Sequence, residues 1–353
     1  MPTYQEQQNE QILRQLQQVR KDLPPFLSEF FTGTAQTASP KTRLGYAYDL
    51  RIFFSYLREE HPTLGGIAAK DFTIEDLQKV TVSDIEEFLE YLTFYLRHDA
   101  QDPAEEVKRK NGEKGKSRKL AAVRRMFRYF YKKGKLSADP AALVDTPKLH
   151  EKQIVRLEIN EVADLLDAVE SGEHLSKHQK AFHQKNERRD MAIISLLLGT
   201  GMRVSECVGI DLTDLDLKNR QVKVTRKGGN ESVLYFGEEV HDALADYWEV
   251  RENAITKDAE EKAFFLSGQG RRISTRAVQN LVKKYAGGIT VKHITPHKLR
   301  STYGTNLYNE TGDIYLVAET LGHADVNTTR KHYAEIQQRR RQDASKIIKL
   351  RKD

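Results

Sequence analysis

The sequence has only one cysteine, Cys207, among its 353 residues. A single thiol excludes a disulfide framework within the chain and a zinc site built from several cysteines, and it suits a reducing compartment. The sequence also lacks an apolar run of the roughly 18 residues that a membrane-spanning helix needs. Residues 4–21 are rich in Gln, Glu and Arg and do not resemble a signal peptide. We therefore expect a cytoplasmic protein that has no membrane partner.

The positive charge of the chain is concentrated in one segment. The net charge is only +6, which is a weak indication of a polyanionic partner. Residues 108–135, however, contain thirteen Lys or Arg residues, four Phe or Tyr residues and a single acid, Glu113. Clustered cations along a helix are typical of contact with nucleic-acid phosphates. A solvated helix face would carry the same charges, so this segment alone leaves both interpretations open.

Residues 1–148 carry the patterns of a small all-helical domain. Ser39 and Pro40 are a typical N-cap and first helical residue. Thr81 and Asp84 form a capping-box pattern ahead of an apolar stripe with helical spacing.

The basic segment is expected to form a helix over residues 117–132. It follows a polar stretch at 99–115, which predicts a loop, and precedes a proline-containing linker at 147–151. The linker places the domain boundary near residue 148.

Residues 149–353 are predicted to form a second domain, which opens with a helix at 159–169. Residues 171–189 are polar and contain three histidines. Histidines four residues apart can bind a metal ion, but no carboxylate or cysteine completes a ligand set, and a solvated helix or loop is the favoured interpretation. A buried helix at 191–198 follows, and the glycines at 199 and 201 end it.

A hairpin follows in the same domain. Residues 221–225 and 233–236 alternate in polarity as strands do, around a glycine-containing turn at 226–230. Helices are predicted from there to the C-terminus, which gives a mixed α+β domain with a small antiparallel sheet.

Arg203 follows the glycines at 199 and 201 and is predicted to begin a new helix. Its planar fork of donors suits two oxygens of one phosphate. Glu206 lies one helical turn later and is placed to hold that fork. Taken alone, the two residues are also an ordinary helix pair.

Further candidates lie in the same half of the chain. His297 and Arg300 share one helix face, and His323 follows a glycine that ends a helix. Lys227 lies in the hairpin turn, and Tyr333 comes ten residues after His323. Each of these residues alone fits a structural role as well as a functional one.

Together the candidates resemble the catalytic residues of the tyrosine recombinases, enzymes that cut and rejoin DNA through a phosphotyrosine. The order and the approximate intervals agree. The resemblance implies that the arginines and histidines bind the scissile phosphate, that the lysine protonates the leaving 5′-oxygen, and that the tyrosine is the nucleophile. The implied catalytic residues are Arg203, Lys227, His297, Arg300, His323 and Tyr333, with Glu206 supporting Arg203.

The resemblance covers the whole chain and implies its fold and partners. It implies a mainly α protein whose SAM-like core-binding domain and catalytic domain form a C-shaped clamp on DNA. Residues 182–198 and 225–229 are most similar to the single-protein Xer recombinases of the XerS type, which resolve chromosome dimers. The implied partners are double-stranded DNA with an inverted-repeat site, a homotetramer on paired sites, and a DNA translocase as a candidate regulator. No metal or other cofactor is implied.

Three alternatives stay open on sequence grounds: a mobile-element integrase, a type IB topoisomerase-like enzyme, and a DNA-binding protein with a disused recombinase fold. The C-terminal tail at 336–350 is expected to pack either on a neighbouring subunit or on its own core. The candidate DNA-binding cations, mostly for phosphates, are Lys41, Arg43, Arg118, Arg124, Arg125 and Arg128.

The sequence departs from the family pattern at three points. Ser301 follows Arg300 where the family frequently has histidine, which affects packing more than chemistry. The interval of ten residues before Tyr333 is nine more often in Xer proteins. Lys331 and His332 make the nucleophile's helix unusually basic. None of these departures removes a catalytic residue.

Overall fold

The computed structural model describes residues 3–98, 106–148, 155–226, 229–256, 261–323 and 326. The chain folds as two units, Met1–Glu151 and Lys152–Asp353. Within the described ranges, no helix is long and apolar enough to cross a membrane.

The described part of the first unit is mainly helical and has one pair of antiparallel strands. Short 3-10 turns lie at Ala69–Asp71 and Pro140–Ala142. The helices and strands are α1 (Tyr4–Arg20), α2 (Leu27–Gly33), α3 (Pro40–Glu60), α4 (Ile74–Gln78), α5 (Val82–Tyr91), β1 (Tyr95–His98), β2 (Glu106–Arg109) and α6 (Glu113–Lys132).

An aromatic core holds these helices together. Phe53 of α3 packs edge-on against Phe88 of α5, with ring centroids 5.1 Å apart, and also packs edge-on against Phe127 of α6. All three side chains are almost completely buried. Burying one such side chain contributes about 1.5–3 kcal/mol, so the contacts of Phe53 fix α3, α5 and α6 as one body.

The helix starts follow the capping residues that the sequence predicts. The Ser39 hydroxyl accepts a hydrogen bond from the backbone N–H of Thr42 at 3.2 Å, and Pro40 is the first residue of α3. Thr81 and Asp84 form a reciprocal capping box at the start of α5. Both of these predicted helix starts are confirmed.

The predicted loop at 99–115 is wrong at two places. Strand β2 lies within it and pairs with β1, with Tyr95 opposite Arg109. Helix α6 also begins four residues earlier than expected, at Glu113. Both differences have one physical reason, which is a contact between residues distant in sequence. Asn111 donates to the carbonyl of Leu92 through both its backbone N–H and its side-chain amide.

The second unit combines helices with a three-stranded antiparallel sheet, so the predicted mainly α fold with a small sheet is confirmed. A 3-10 turn lies at Leu212–Asp214. The elements are α7 (Ile159–Ser171), α8 (Lys177–Thr200), α9 (Val204–Gly209), β3 (Leu215–Asp216), β4 (Gln221–Thr225), β5 (Glu231–Tyr235), α10 (Glu238–Glu252), α11 (Thr275–Ala286), α12 (Pro296–Thr311) and α13 (Ile314–Leu321).

The sheet is ordered β3-β4-β5, and β4 has the bounds that its alternation predicts. Val222 and Val224 of β4 point into the core, whereas Lys223 between them is exposed. Strand β5 begins at Glu231, two residues before the predicted start, because Glu231 pairs with Thr225.

Helix α8 begins at Lys177 within the polar stretch and continues unbroken through the apolar run, which the sequence predicted as separate segments. His183, expected on a solvated segment, is buried, and its Nε2 lies 2.7 Å from the carbonyl oxygen of Val169. That interpretation is corrected, because the histidine anchors α8 to α7. Among the described residues, no three His, Cys, Asp or Glu side chains are grouped to bind a metal ion.

Candidate active site

The site begins where α8 ends, at Gly201. This glycine has φ +62°, a left-handed conformation that favours glycine. A Cβ here would also lie 2.3 Å from the Tyr303 ring. Burial raises the pKa of the Tyr303 phenol, so the side chain that packs against the turn is uncharged. The turn therefore needs glycine, and it directs the chain to Arg203, the N-cap of α9.

Glu206 fixes the position of the Arg203 guanidinium. Its carboxylate accepts a hydrogen bond from the backbone N–H of Arg203 at 2.7 Å and another from Nη1 at 2.8 Å. The Glu206 side chain is buried, whereas the Arg203 side chain is 36% exposed. The guanidinium plane is thus fixed at one end while the group keeps access to solvent.

Cys207, the next residue, is excluded as a nucleophile. It is fully buried, and burial, followed by the nearby Glu206 carboxylate, raises the pKa of its thiol. The thiol therefore stays protonated at neutral pH.

Helix α12 supplies two further candidates. Thr295 precedes the helix and Pro296 is its first residue, and His297 is exposed on the first turn. Arg300, one turn later, is buried, and its Nη1 donates to the Gly201 carbonyl at 2.7 Å. Ser301 donates its hydroxyl to the His297 carbonyl at 3.1 Å.

The C-terminal end of α13 leaves three backbone carbonyls for side chains. Gly322, at φ +61°, donates to Glu319, and His323 donates to Ala318, which is the hydrogen-bond pattern of a Schellman motif. The motif uses the carbonyls of Ala318 and Glu319. Within the part of the chain that the structure describes, the carbonyls of residues 320, 321 and 322 accept no backbone hydrogen bond.

Each of these three carbonyls accepts a hydrogen bond from an arginine. Arg203 Nη2 lies 3.2 Å from the Gly322 oxygen, and Arg226 Nη2 lies 3.0 Å from the Thr320 oxygen. Arg300 Nη2 donates to the Leu321 oxygen. We call these three residues the arginine cluster. The negative end of a helix dipole favours cations, so the end of α13 gathers them beside His323.

The structure thus brings together Arg203, Arg300 and His323, with His297 one turn before Arg300 on the same helix. Lys227 and Tyr333 lie outside the described residues. Arg226 is not among the site residues that the sequence predicted. Its one sequence signal is its position directly before Lys227 in the hairpin turn.

The candidate DNA-binding cations of the first unit have diverse contacts. Arg118 forms an ion pair with the buried Asp49 at 2.5 Å, and Arg125 donates to the Thr37 hydroxyl at 2.9 Å. Arg43 Nη1 lies 3.4 Å from the carbonyl oxygen of Phe31. Lys41 and Arg128 are exposed on α3 and α6.

Arg124 is tied to the chain that follows α6. Its Nε donates to the Ala141 carbonyl at 3.0 Å, its Nη1 to the Thr146 hydroxyl at 2.7 Å, and its Nη2 to the Val144 carbonyl. This arginine fastens the end of the first unit, a role that the count of cations in the sequence cannot reveal.

Known proteins are similar to the chain in sequence and in fold. A profile of the phage integrase family matches residues 156–340. The tyrosine recombinase XerC of Caldanaerobacter subterraneus subsp. tengcongensis is 32% identical over 319 residues, covering 87% of this chain and 82% of that protein. The tyrosine recombinase XerS of Streptococcus uberis is 32% identical over 286 residues, covering 80% and 73%.

The fold is also similar to that of a solved recombinase. The XerH site-specific recombinase, in a post-cleavage complex with its palindromic difH substrate, matches with a TM-score of 0.64 at 20% identity, covering 89% of this chain and 82% of that one. The family profile spans more than half of the chain, and the XerC relative is matched over most of both lengths. The chain therefore belongs to the phage integrase family and is a site-specific tyrosine recombinase.

Proposed function

We propose that the chain cuts and rejoins double-stranded DNA at an inverted-repeat site, in the resolution of chromosome dimers. The observation that carries the proposal is the convergence of Arg203, Arg300 and His323 at the end of α13. The match to XerC and XerS relatives over most of the chain supports the Xer-type role.

In the proposed site, Arg203 and Arg300 bind the non-bridging oxygens of the scissile phosphate. Both guanidiniums are held by backbone carbonyls before the substrate arrives. Donors that are already oriented toward developing charge stabilise a transition state without reorganisation. His297 and His323 add hydrogen bonds to the same phosphate, and Glu206 keeps Arg203 in its plane.

The Tyr333 oxygen forms a bond to phosphorus while the bond from phosphorus to the 5′-oxygen breaks. The phenol proton passes to a histidine, and the Lys227 ammonium gives a proton to the leaving 5′-oxygen. A free phenol has a pKa of about 10, and nearby cations favour the phenolate. A 5′-hydroxyl from a partner duplex then reverses the step, so the phosphodiester count is unchanged and no ATP or metal is consumed.

The two domains, 1–148 and 149–353, are proposed to enclose the duplex as a C-shaped clamp in the cytoplasm. Lys41, Arg43, Arg118, Arg125 and Arg128 contact phosphates of the site. Four subunits act on two sites, and a DNA translocase is the candidate regulator. The tail at 336–350, the candidate contact with a neighbouring subunit, lies outside the described residues.

Covalent trapping tests the proposal. Purified protein is incubated with sheared host DNA, denatured in detergent, and the DNA linked to protein is sequenced. We expect fragments that share one short inverted repeat from the wild type and none from Tyr333→Phe.

A single chromosomal repeat supports dimer resolution, whereas the end of a mobile element would replace it with integration. If the protein binds DNA but traps none, on nicked and intact duplexes alike, the catalytic proposal fails and a DNA-binding role replaces it. Relaxation of supercoils without joining of two sites would identify a topoisomerase instead.

A further inference from the structure

Arg226 connects the β4–β5 hairpin to the end of α13. It follows the last residue of β4, and its backbone N–H donates to the Asn230 carbonyl at 2.7 Å. Its own carbonyl accepts a hydrogen bond from the N–H of Gly229 at 3.1 Å. The backbone of Arg226 is therefore fixed as part of the hairpin, next in sequence to Lys227.

The side chain of Arg226 reaches a region more than 90 residues away in sequence. Nη2 lies 3.0 Å from the Thr320 oxygen, and Nη1 lies 3.5 Å from the Glu319 oxygen. A Cβ on Gly322 would lie 1.6 Å from Nη1. The guanidinium thus occupies the space that the missing side chain of Gly322 leaves, one residue before His323.

Two electrostatic factors favour this contact. The donors are charged, and the acceptors lie at the negative end of a helix, so both factors favour the hydrogen bonds. The Nε atom is buried without a hydrogen-bond partner among the residues that the structure describes. Such burial costs free energy, and the charged hydrogen bonds to the end of α13 offset that cost.

We infer that Arg226 is a positioning residue, which fastens the hairpin carrying Lys227 to the turn carrying His323. The inference rests on the proposed function, in which Lys227 protonates the leaving oxygen. Two of the three arginines at the end of α13 bind the phosphate in that function. The third, Arg226, sets the distance between the phosphate site and the strand end that leads to the acid.

A substrate with sulfur in place of the 5′-bridging oxygen isolates this role. A thiol is a much stronger acid than an alcohol, so the thiolate leaves without receiving a proton. The bond from Tyr333 to phosphorus forms as before, and the phosphorus–sulfur bond breaks in place of the phosphorus–oxygen bond. Cleavage of the sulfur substrate therefore does not need a positioned acid.

Single-turnover cleavage would be measured on duplexes of the site recovered by covalent trapping, with oxygen or sulfur at the scissile bond. We expect Arg226→Ala to slow cleavage of the oxygen substrate by about 10- to 100-fold, part of the 10²- to 10⁴-fold that an acid typically supplies. On the sulfur substrate it should stay within about 3-fold of the wild type, as Lys227→Ala should.

Lys223→Ala is the matched control. Lys223 lies on the same hairpin, is about half exposed and pairs with Asp214 and Glu231. Its removal takes one cation from the hairpin without touching α13, so both substrates should be cleaved at the wild-type rate.

Equal slowing of both substrates by Arg226→Ala, or a similar defect in Lys223→Ala, would overturn the inference. If sulfur restores Lys227→Ala but not Arg226→Ala, the inference alone fails. If sulfur restores neither, the assignment of Lys227 as the acid in the proposed function fails.

Arg226→Lys serves if the alanine variant does not fold. A lysine keeps the charge but lacks the planar fork of donors, so we expect an intermediate defect that sulfur removes. Wild-type cleavage of the oxygen substrate by Arg226→Lys would show that charge alone matters and would contradict the positioning role.

Discussion

Arg124 lies in the first unit and Arg300 in the second. Both side chains donate hydrogen bonds from a guanidinium to backbone carbonyls. Arg124 binds carbonyls and a hydroxyl of residues 141–146, the segment that ends its own unit. Arg300 binds the carbonyls of Gly201 and Leu321, which belong to two separate turns. A carbonyl-bound arginine is therefore not in itself a sign of function.

The difference lies in what surrounds each arginine. Along α3 and α6, Arg43, Arg118 and Arg125 each have a different acceptor. At the end of α13, three arginines from three elements share one stretch of backbone beside a histidine. Convergence of several cations on one helix end, rather than their number, distinguishes the candidate active site from the basic helix.

The largest expected effect is that of Arg300→Lys. A lysine has no fork of donors to bridge Gly201 and Leu321 while it contacts a phosphate. Loss of one preorganised donor typically reduces the rate by about 10²- to 10³-fold, and we expect a loss of that size in covalent trapping. Retained DNA affinity in a gel-shift assay is the control. Wild-type trapping would remove the distinction between the two regions.

A smaller effect is expected from Arg124→Ala, and it should appear in stability. The variant loses three hydrogen bonds around residues 141–146, and we expect unfolding to become easier by about 1–3 kcal/mol, measured by urea denaturation. The salt dependence of DNA binding should not change, because the guanidinium is used within the protein.

Arg128→Ala is the matched change on the same helix. Arg128 is exposed, so its removal should leave stability within about 0.5 kcal/mol and lower the slope of binding against salt by about one. If Arg124→Ala and Arg128→Ala gave the same pair of results, the division of α6 into structural and DNA-contacting cations would be wrong.

The smallest expected effect concerns Asp49, the buried partner of Arg118. Burial raises the pKa of its carboxyl, against the opposing attraction of Arg118 and Lys119. The folded protein then holds the proton more tightly than the unfolded chain, so stability falls as pH rises from about 4 through the folded pKa. The melting temperature of the wild type relative to that of Asp49→Asn should therefore fall between pH 4 and 6, because the other carboxyls titrate alike in both proteins. A relative rise would mean that the ion pair outweighs burial.

Local patterns in the sequence predicted much of the fold. Ser39, Thr81 and the alternation of β4 act through neighbours a few residues away, so their consequences are visible in the sequence. The burial of His183 and the three contacts of Arg124 were not predicted, because each depends on a partner more than ten residues away.

The candidate site divides in the same way. The sequence resemblance named Arg203, Arg300 and His323, and the structure places them around one helix end. The resemblance could not identify Arg226, because a basic residue in a polar turn has no signal of periodicity or spacing. Only the packing of its guanidinium over Gly322 shows that it belongs with the others.

The Schellman motif at the end of α13 also affects the electrostatic attraction between the site and DNA that is not yet in contact. A helix end carries only about half of a negative charge, and the Glu206 carboxylate beside Arg203 adds one more, so three guanidiniums are not neutralised. The carbonyls orient the arginines and leave a net positive electrostatic potential in place. At physiological ionic strength such a potential extends over a Debye length of about 8 Å. The same backbone that arranges the site at rest therefore lets it attract a phosphate before contact.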